Sequence, residues 1–115
     1  MKTNRNPLNH RLVYNLPSTP ESGRNSEGSF LRAPDGAILF AYSHYNTAST
    51  YDHSPCDIAM IRSEDEGEHW SEPVTIARAA DFGVSNIMSV SGMTLTDGRS
   101  CFFFIVKSDS DGSSW

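Results

Sequence analysis

One pattern occurs twice in this sequence: a short apolar run, an Asp-Gly pair and a second short apolar run. The pairs are Asp35-Gly36 and Asp97-Gly98. Asp-Gly between apolar runs is a strong signal for a β-hairpin, because glycine accepts the positive φ of a tight turn without a Cβ clash. We therefore predict two antiparallel hairpins. Their strands are expected within residues 30–31, 37–42, 86–95 and 100–107.

The two copies of the pattern are related by a constant offset of 62 residues, since 97 − 35 = 62. At this offset Phe40 aligns with Phe102, and Tyr42 aligns with Phe104. A repeat of this length with four short strands per unit is typical of a β-propeller blade. A single blade cannot bury both faces of its sheet, so it needs neighbouring blades.

Two further strands are predicted to complete the first unit, at residues 56–62 and, after Pro73, at residues 74–77. The fold class expected is all-β: a β-propeller fragment with about one complete four-stranded antiparallel blade and part of a second. A small β-sandwich is the structural alternative, because it also uses short strands separated by turns. A sandwich does not predict the long repeat.

The chain is expected to divide into three parts. Residues 1–26 are rich in Asn, Pro, Ser and Arg and are predicted to be irregular, with one short strand at 12–14 as an option. Residues 27–80 form the first blade, and residues 81–115 form the first half of a second, truncated blade. The polar stretch 43–55 is long for a hairpin loop, and long ordered loops are often functional.

Composition argues against several classes of function. The net charge is 9 − 14 = −5, so neither a diffuse basic surface for nucleic acid nor a polybasic membrane patch is expected. No apolar run approaches the roughly 20 residues of a membrane-spanning helix. No apolar segment of a signal peptide follows the first residues, so a cytoplasmic location is the default expectation.

The cysteines and histidines indicate no metal site. Cys56 and Cys101 form no Cys-x-x-Cys pair, and the four histidines have no ligand spacing relative to them. We expect two free thiols in a reducing compartment, with no metal and no cofactor.

The most specific string is Ser-Glu-Asp-Glu-Gly-Glu-His-Trp at residues 63–70. Short Ser63 and Asp65 oxygens can accept hydrogen bonds from turn amides. Gly67 permits a positive φ, and Trp70 can bury a large ring beneath the turn. The string resembles the Asp box of bacterial neuraminidase repeats, Ser-x-Asp-x-Gly-x-Thr-Trp, with His69 in place of Thr. The motif marks a fold and not a catalytic centre.

A second candidate Asp box at residues 108–115 is rejected. Ser110 occupies the Asp position of the motif. The string also begins 108 − 98 = 10 residues after Gly98, whereas Ser63 begins 63 − 36 = 27 residues after Gly36. It is predicted to start a long polar loop equivalent to residues 43–55.

With its Asp box and Asp-Gly turns, the chain resembles the sialidase (exo-α-sialidase, neuraminidase) superfamily of six-bladed propellers over about residues 24–107. The resemblance implies the N-terminal part of a glycoside hydrolase that acts on sialic-acid-type, anionic glycans. Members of this family bind the substrate carboxylate with three arginines, because guanidinium donors match a carboxylate geometrically. Arg24 stands near the place of the first arginine, and Glu27 is a candidate to orient it. Asn25-Ser26 stand where the family has Ile-Pro.

The acid/base aspartate of the family comes from the long loop before the third strand, and Asp52 occupies that loop. Asp57 is the competing carboxylate. The plain alternatives are a solvated arginine at position 24 and a turn aspartate at position 52.

The resemblance places the other two arginines and the Tyr nucleophile with its Glu partner on later blades. The chain alone is therefore expected to be inactive, and its expected partner is a glycan that carries a carboxylate. The functional alternative is a non-catalytic Asp-box propeller that binds glycans or proteins. The departure at residues 25–26 favours this alternative.

Overall fold

The computed structural model describes residues 11–108, and these residues form an all-β structure, as predicted. A short 3-10 helix, Ala79–Phe82, is the one helical element within this part of the chain. The strands are β1 Asn25–Arg32, β2 Ile38–Tyr45, β3 Cys56–Ser63, β4 Val74–Ala77, β5 Ile87–Thr94 and β6 Ser100–Val106.

The strands form two antiparallel sheets. In the first sheet β1, β2, β3 and β4 are neighbours in chain order, and in the second β5 pairs with β6. The predicted four-stranded antiparallel sheet and the second predicted hairpin are thus both present. None of the helical structure between residues 11 and 108 is long or apolar enough to cross a bilayer.

The core lies between the two sheets, where β5 packs across the face of β1, β2 and β3. Ala41 and Ile58 of the first sheet meet Ile87 and Val90 of β5, and all four are buried. Hydrogen bonds also join the sheets directly, and two of them connect β5 to the first sheet. The N–H of Gly92 on β5 donates to Oγ of Ser29 on β1 at 2.9 Å. The N–H of Ser89 on β5 donates to Oγ of Ser43 on β2, also at 2.9 Å.

The two hairpin turns have the same geometry. Gly36 has a φ of 94° and Gly98 a φ of 90°, which are values that glycine adopts without strain. In each turn the carboxylate of Asp35 or Asp97 accepts a hydrogen bond of 3.1 Å from the backbone N–H two residues later. The turns predicted from Asp-Gly are therefore confirmed.

A bulge interrupts the first strand of each hairpin at equivalent positions. The register shifts in β1 between Ser26 and Ser29, and in β5 between Met88 and Ser91. Glu27 has a φ of 39° and Ser89 a φ of 59°, and 89 − 27 = 62, the offset of the sequence repeat. A bulge re-aims the side chains around it.

The optional strand at residues 12–14 is wrong. These residues form no ladder with β1, and they lie over the outer face of the first sheet instead. Val13 lines an apolar groove there with Phe30, Phe40 and Trp70. Tyr14 and Leu16, which are half-buried, line the same groove, so the segment lies along the sheet without backbone pairing. The rejected Asp box at 108–115 lies outside the described residues apart from Ser108.

We expect Ile87→Ala to lower the free energy of unfolding by about 2–5 kcal/mol, because Ile87 is fully buried between the sheets. The matched control is Leu12→Ala, whose side chain is exposed and whose effect should stay within about 0.5 kcal/mol. Urea denaturation of the three proteins measures both. Equal losses in the two variants would contradict the core described above.

Candidate functional site

The candidate site lies at the end of the first sheet where β1 begins, β2 ends and β3 begins. Arg24 immediately precedes β1, and Glu27 lies in the β1 bulge. Asp52 lies in the loop of residues 46–55 that connects β2 to β3. Because neighbouring strands are antiparallel, these three segments meet at the same end of the sheet.

The guanidinium of Arg24 lies at the centre of this site. Its Nη1 lies 2.5 Å from Oδ1 of Asp52 and donates a 3.1 Å hydrogen bond to the carbonyl of Thr50. Its Nη2 donates to Oε2 of Glu27 at 2.9 Å, and its Nε donates to Oγ of Ser26 at 2.9 Å. The structure thus brings together the three side chains singled out in the sequence, although Asp52 is 28 residues from Arg24.

Tyr45, the last residue of β2, lies beneath Arg24. The guanidinium carbon is 4.7 Å from the centre of the Tyr45 ring, which is a cation–π arrangement. Burial raises the pKa of Tyr45 to about 12, so its hydroxyl stays neutral at ordinary pH. The hydrogen bond that Arg24 donates to the Asp52 carboxylate raises the pKa of Arg24 further above its usual range. Arg24 is therefore a permanent cation on a neutral aromatic platform.

Tyr45 was missed in the sequence analysis. Its contact with Arg24 is non-local, and no motif marks it. The available signal was its position at the end of β2, where the two-residue period of a strand places Ala41, Ser43 and Tyr45 on one face.

The loop that carries Asp52 is held closely against the start of β1. Gly23 donates its N–H to the carbonyl of Thr47 at 2.7 Å. A Cβ at position 23 would lie 2.4 Å from the carbonyl oxygen of Ala48, so only glycine allows this approach. Within the loop, the Ser54 N–H donates to the carbonyl of Tyr51 at 3.0 Å.

Asp57, the competing carboxylate, has a structural role. Its Oδ1 accepts the N–H of Ala79 at 2.8 Å, at the start of the 3-10 helix. Its Oδ2 accepts a hydrogen bond from the side chain of Asn46 at 2.8 Å. Both oxygens are therefore engaged with neighbouring loops, and Asp57 makes no contact with Arg24 among the hydrogen bonds of residues 11–108.

The string that resembles an Asp box, residues 63–70, lies at the opposite end of the sheet, in the turn between β3 and β4. Strands of eight residues separate it from Arg24 by about 23 Å. Oγ of Ser63 accepts the N–H of Gly67 at 2.8 Å, and Oδ1 of Asp65 accepts the N–H of His69 at 2.8 Å. The indole N–H of Trp70 donates to the carbonyl of Gly67 at 3.0 Å. The motif residues therefore bond to one another within one turn.

Trp70 also connects this turn to the outer face of the sheet. Its ring centre is 6.3 Å from that of Phe30, and the Trp70 side chain is half-buried. The ring covers part of the outer face.

In comparisons with known proteins, no family model and no curated protein matches the chain. Cys56 is buried and Cys101 half-buried, and both are free thiols. Between residues 11 and 108, no group of three or more His, Cys, Asp or Glu side chains is arranged to hold a metal ion.

We expect the carboxyl of Asp65 to titrate at about 2 in the folded protein, because hydrogen bonds from the backbone and ring of His69 favour the carboxylate. A pKa depressed on folding stabilises the native state above the ordinary Asp value, and this stabilisation is lost as the pH falls through about 2. NMR titration of the Asp65 carboxyl carbon measures the value directly.

Denaturation at several pH values provides the second measurement. The stability difference between wild type and Asp65→Asn should shrink as the pH falls from about 4 to about 2. Asp81→Asn, which removes an exposed carboxylate outside the turn, is the control. A midpoint for Asp65 at the ordinary Asp value would contradict the prediction.

Proposed function

We propose that this chain is the N-terminal part of a sialidase-like glycoside hydrolase with a six-bladed propeller, acting on sialic-acid-type, anionic glycans. The observation that carries the proposal is the meeting of Arg24, Asp52 and Glu27 at one end of the first sheet. A guanidinium suited to a carboxylate, a nearby carboxyl group and an orienting carboxylate are components that such a hydrolase requires.

Two features support the propeller over the sandwich. The turns and the bulges recur at the same offset in both sheets, as in repeated blades. Each sheet also has apolar side chains on the face away from the shared core. Phe30 is 64% exposed on one such face, and Phe103 is 56% exposed on the other. A two-layer sandwich places polar residues on its outer faces, whereas a blade is covered on both.

In the proposed reaction Arg24 binds the substrate carboxylate and Asp52 donates a proton to the leaving oxygen. The contacts with Ser26, Thr50, Asp52 and Glu27 use four of the five N–H groups of Arg24. One N–H of Nη2 remains, so a carboxylate that binds through two N–H groups must displace a partner, and the proposal is that Asp52 on Nη1 is displaced. When Asp52 leaves Arg24, its exposed carboxylate takes up a proton from solvent and can then protonate the glycosidic oxygen as the bond to the leaving group breaks.

The proposal assigns the remaining machinery to further blades outside these 115 residues. They supply the other two arginines and a Tyr nucleophile with its Glu partner, so the chain alone does not hydrolyse substrate. The net charge of −5 is compatible with an anionic substrate, because a local cluster of arginines determines the field in the site.

A second candidate function is a non-catalytic Asp-box propeller that binds glycans or proteins. One contact favours it: Ser26, which departs from the family's Pro, accepts the Nε hydrogen of Arg24 at 2.9 Å. This bond makes Arg24 part of the structural framework. A framework arginine stabilises a loop without taking part in a reaction.

We expect Phe103→Ala in the full-length protein to cost about 3–5 kcal/mol of unfolding free energy, because another blade covers this face in the proposed propeller. In a sandwich the same side chain remains exposed and the cost stays near the 0.5 kcal/mol or so of a surface change. Denaturation of the full-length wild type and variant measures the difference. A loss of unfolding free energy no larger than that of a surface substitution would contradict the proposed propeller.

We expect Asp52→Ala to lower kcat for a sialylated oligosaccharide by about 10²–10⁴-fold in the full-length protein, because the leaving oxygen loses its proton donor. Asp97→Ala, in the turn at the far end of the second sheet, is the matched control and should leave kcat unchanged. Steady-state hydrolysis measures both.

The outcomes separate the two candidate functions. Equal hydrolysis by wild type and Asp52→Ala would refute the role of Asp52. Tight binding of the oligosaccharide by wild type without any hydrolysis would support the non-catalytic propeller instead.

A further inference from the structure

Asn86 occupies the position in the second sheet that Arg24 occupies in the first. The offset is 86 − 24 = 62, and each residue immediately precedes the first strand of its hairpin. The backbone contacts are also equivalent. Tyr45 donates its N–H to the carbonyl of Arg24 at 3.0 Å, and Lys107 donates its N–H to the carbonyl of Asn86 at 3.1 Å.

The side chain of Asn86 reaches the loop that carries Asp52. It is fully buried, and its Nδ2 donates to the backbone carbonyls of Asp52 at 2.8 Å and Ser54 at 2.7 Å. Both amide hydrogens are therefore used on the two carbonyls that flank residue 53. The second sheet holds the backbone of Asp52 through this one side chain.

The backbone around Asn86 reinforces the same junction. Cys56, the first residue of β3, donates its N–H to the carbonyl of Ser85 at 3.0 Å and forms a parallel bridge with Asn86. The end of the 46–55 loop is thus joined to the start of β5. Movement of β5 relative to β3 would displace the loop.

The other polar atom of the side chain shows that packing alone does not account for Asn86. Its Oδ1 is buried and accepts no hydrogen bond from any residue between 11 and 108. A buried acceptor without a partner opposes folding. An apolar residue would avoid that cost but would lack the two donors.

We propose that Asn86 is the positioning residue for Asp52. It fixes the backbone on both sides of residue 53, so that the Asp52 carboxylate stays beside Arg24. The inference rests on the proposed function for its catalytic meaning. It adds that a residue of the second sheet sets the geometry of a site built on the first.

The test compares sialosides with two kinds of leaving group in the full-length protein. An alkyl leaving group needs protonation by a general acid, whereas a nitrophenyl leaving group departs with little help. Loss of proton donation therefore lowers the alkyl rate far more than the nitrophenyl rate. Simple destabilisation lowers both rates together.

The variants are Asn86→Ala, Asn86→Ser and Asp52→Ala, with Ser43→Ala as the matched control. Ser43 is also fully buried and also joins the two sheets, because its Oγ accepts the N–H of Ser89, but its side chain forms no hydrogen bond with residues 46–55 in the described part of the chain. Asn86→Ser keeps one hydroxyl donor and serves if the alanine variant does not fold. Thermal unfolding establishes that each variant is folded at the assay temperature.

We expect Asn86→Ala to lower the ratio of alkyl to nitrophenyl hydrolysis by about tenfold or more, in the same direction as Asp52→Ala. Ser43→Ala should leave the ratio unchanged. If Asp52→Ala shifts the ratio and the folded Asn86 variant does not, the inference is overturned.

Hydrogen exchange of residues 46–55 separates this inference from the proposed function. If the wild-type protein hydrolyses neither sialoside, the proposed function is wrong, and hydrogen exchange still tests the role of Asn86. Faster amide exchange in residues 46–55 of the Asn86 variant than in Ser43→Ala supports the inference that Asn86 holds the loop. Equal exchange in the two variants overturns it.

Discussion

Packing of β5 against the inner face of the first sheet is the constraint on which the other features depend. Ile58 and Ile87 are fully buried at this interface, and hydrophobic burial is the dominant favourable contribution to folding. The residue before Ile87 is Asn86, whose side chain holds the loop of Asp52. The packing that buries the core therefore also determines where the loop lies relative to Arg24.

The Arg24 site combines interactions that are individually weak. Exposed ion pairs contribute little on their own, and the side chain of Asp52 is 62% exposed. Arg24 nevertheless has four hydrogen-bond partners and an aromatic ring beneath it, so its orientation is restrained from several directions. Restraint of this kind presents a charged group to a ligand in one geometry.

Local chemistry made much of the fold predictable. Asp-Gly turns at 35–36 and 97–98 require only neighbouring residues, and the strands around them follow from apolar runs. The optional strand predicted at residues 12–14 was wrong, because apolar side chains can lie on a sheet without forming a ladder. The bulges at Glu27 and Ser89 were also unpredictable, since neither residue is a glycine.

The site was predictable in part. Arg24, Glu27 and Asp52 were identified through a resemblance, and the structure brings their side chains together. Tyr45 depends on a contact between distant segments, which no motif records. The position of Asn86 could have been identified from the sequence, because the 62-residue offset aligns it with Arg24. Its contact with the loop needed the packing of the two sheets.

The backbone at Glu27 sets folding stability against a contact with Arg24. A φ of 39° is strained for any residue except glycine, yet position 27 carries a carboxylate that bonds Arg24. Its neighbour Gly28 also requires glycine, because a Cβ there would lie 2.1 Å from the ring of Phe40. Selection for thermal robustness alone would favour glycine at both positions. A glutamate that persists at 27 in natural variants would therefore indicate selection acting on the arginine beside it.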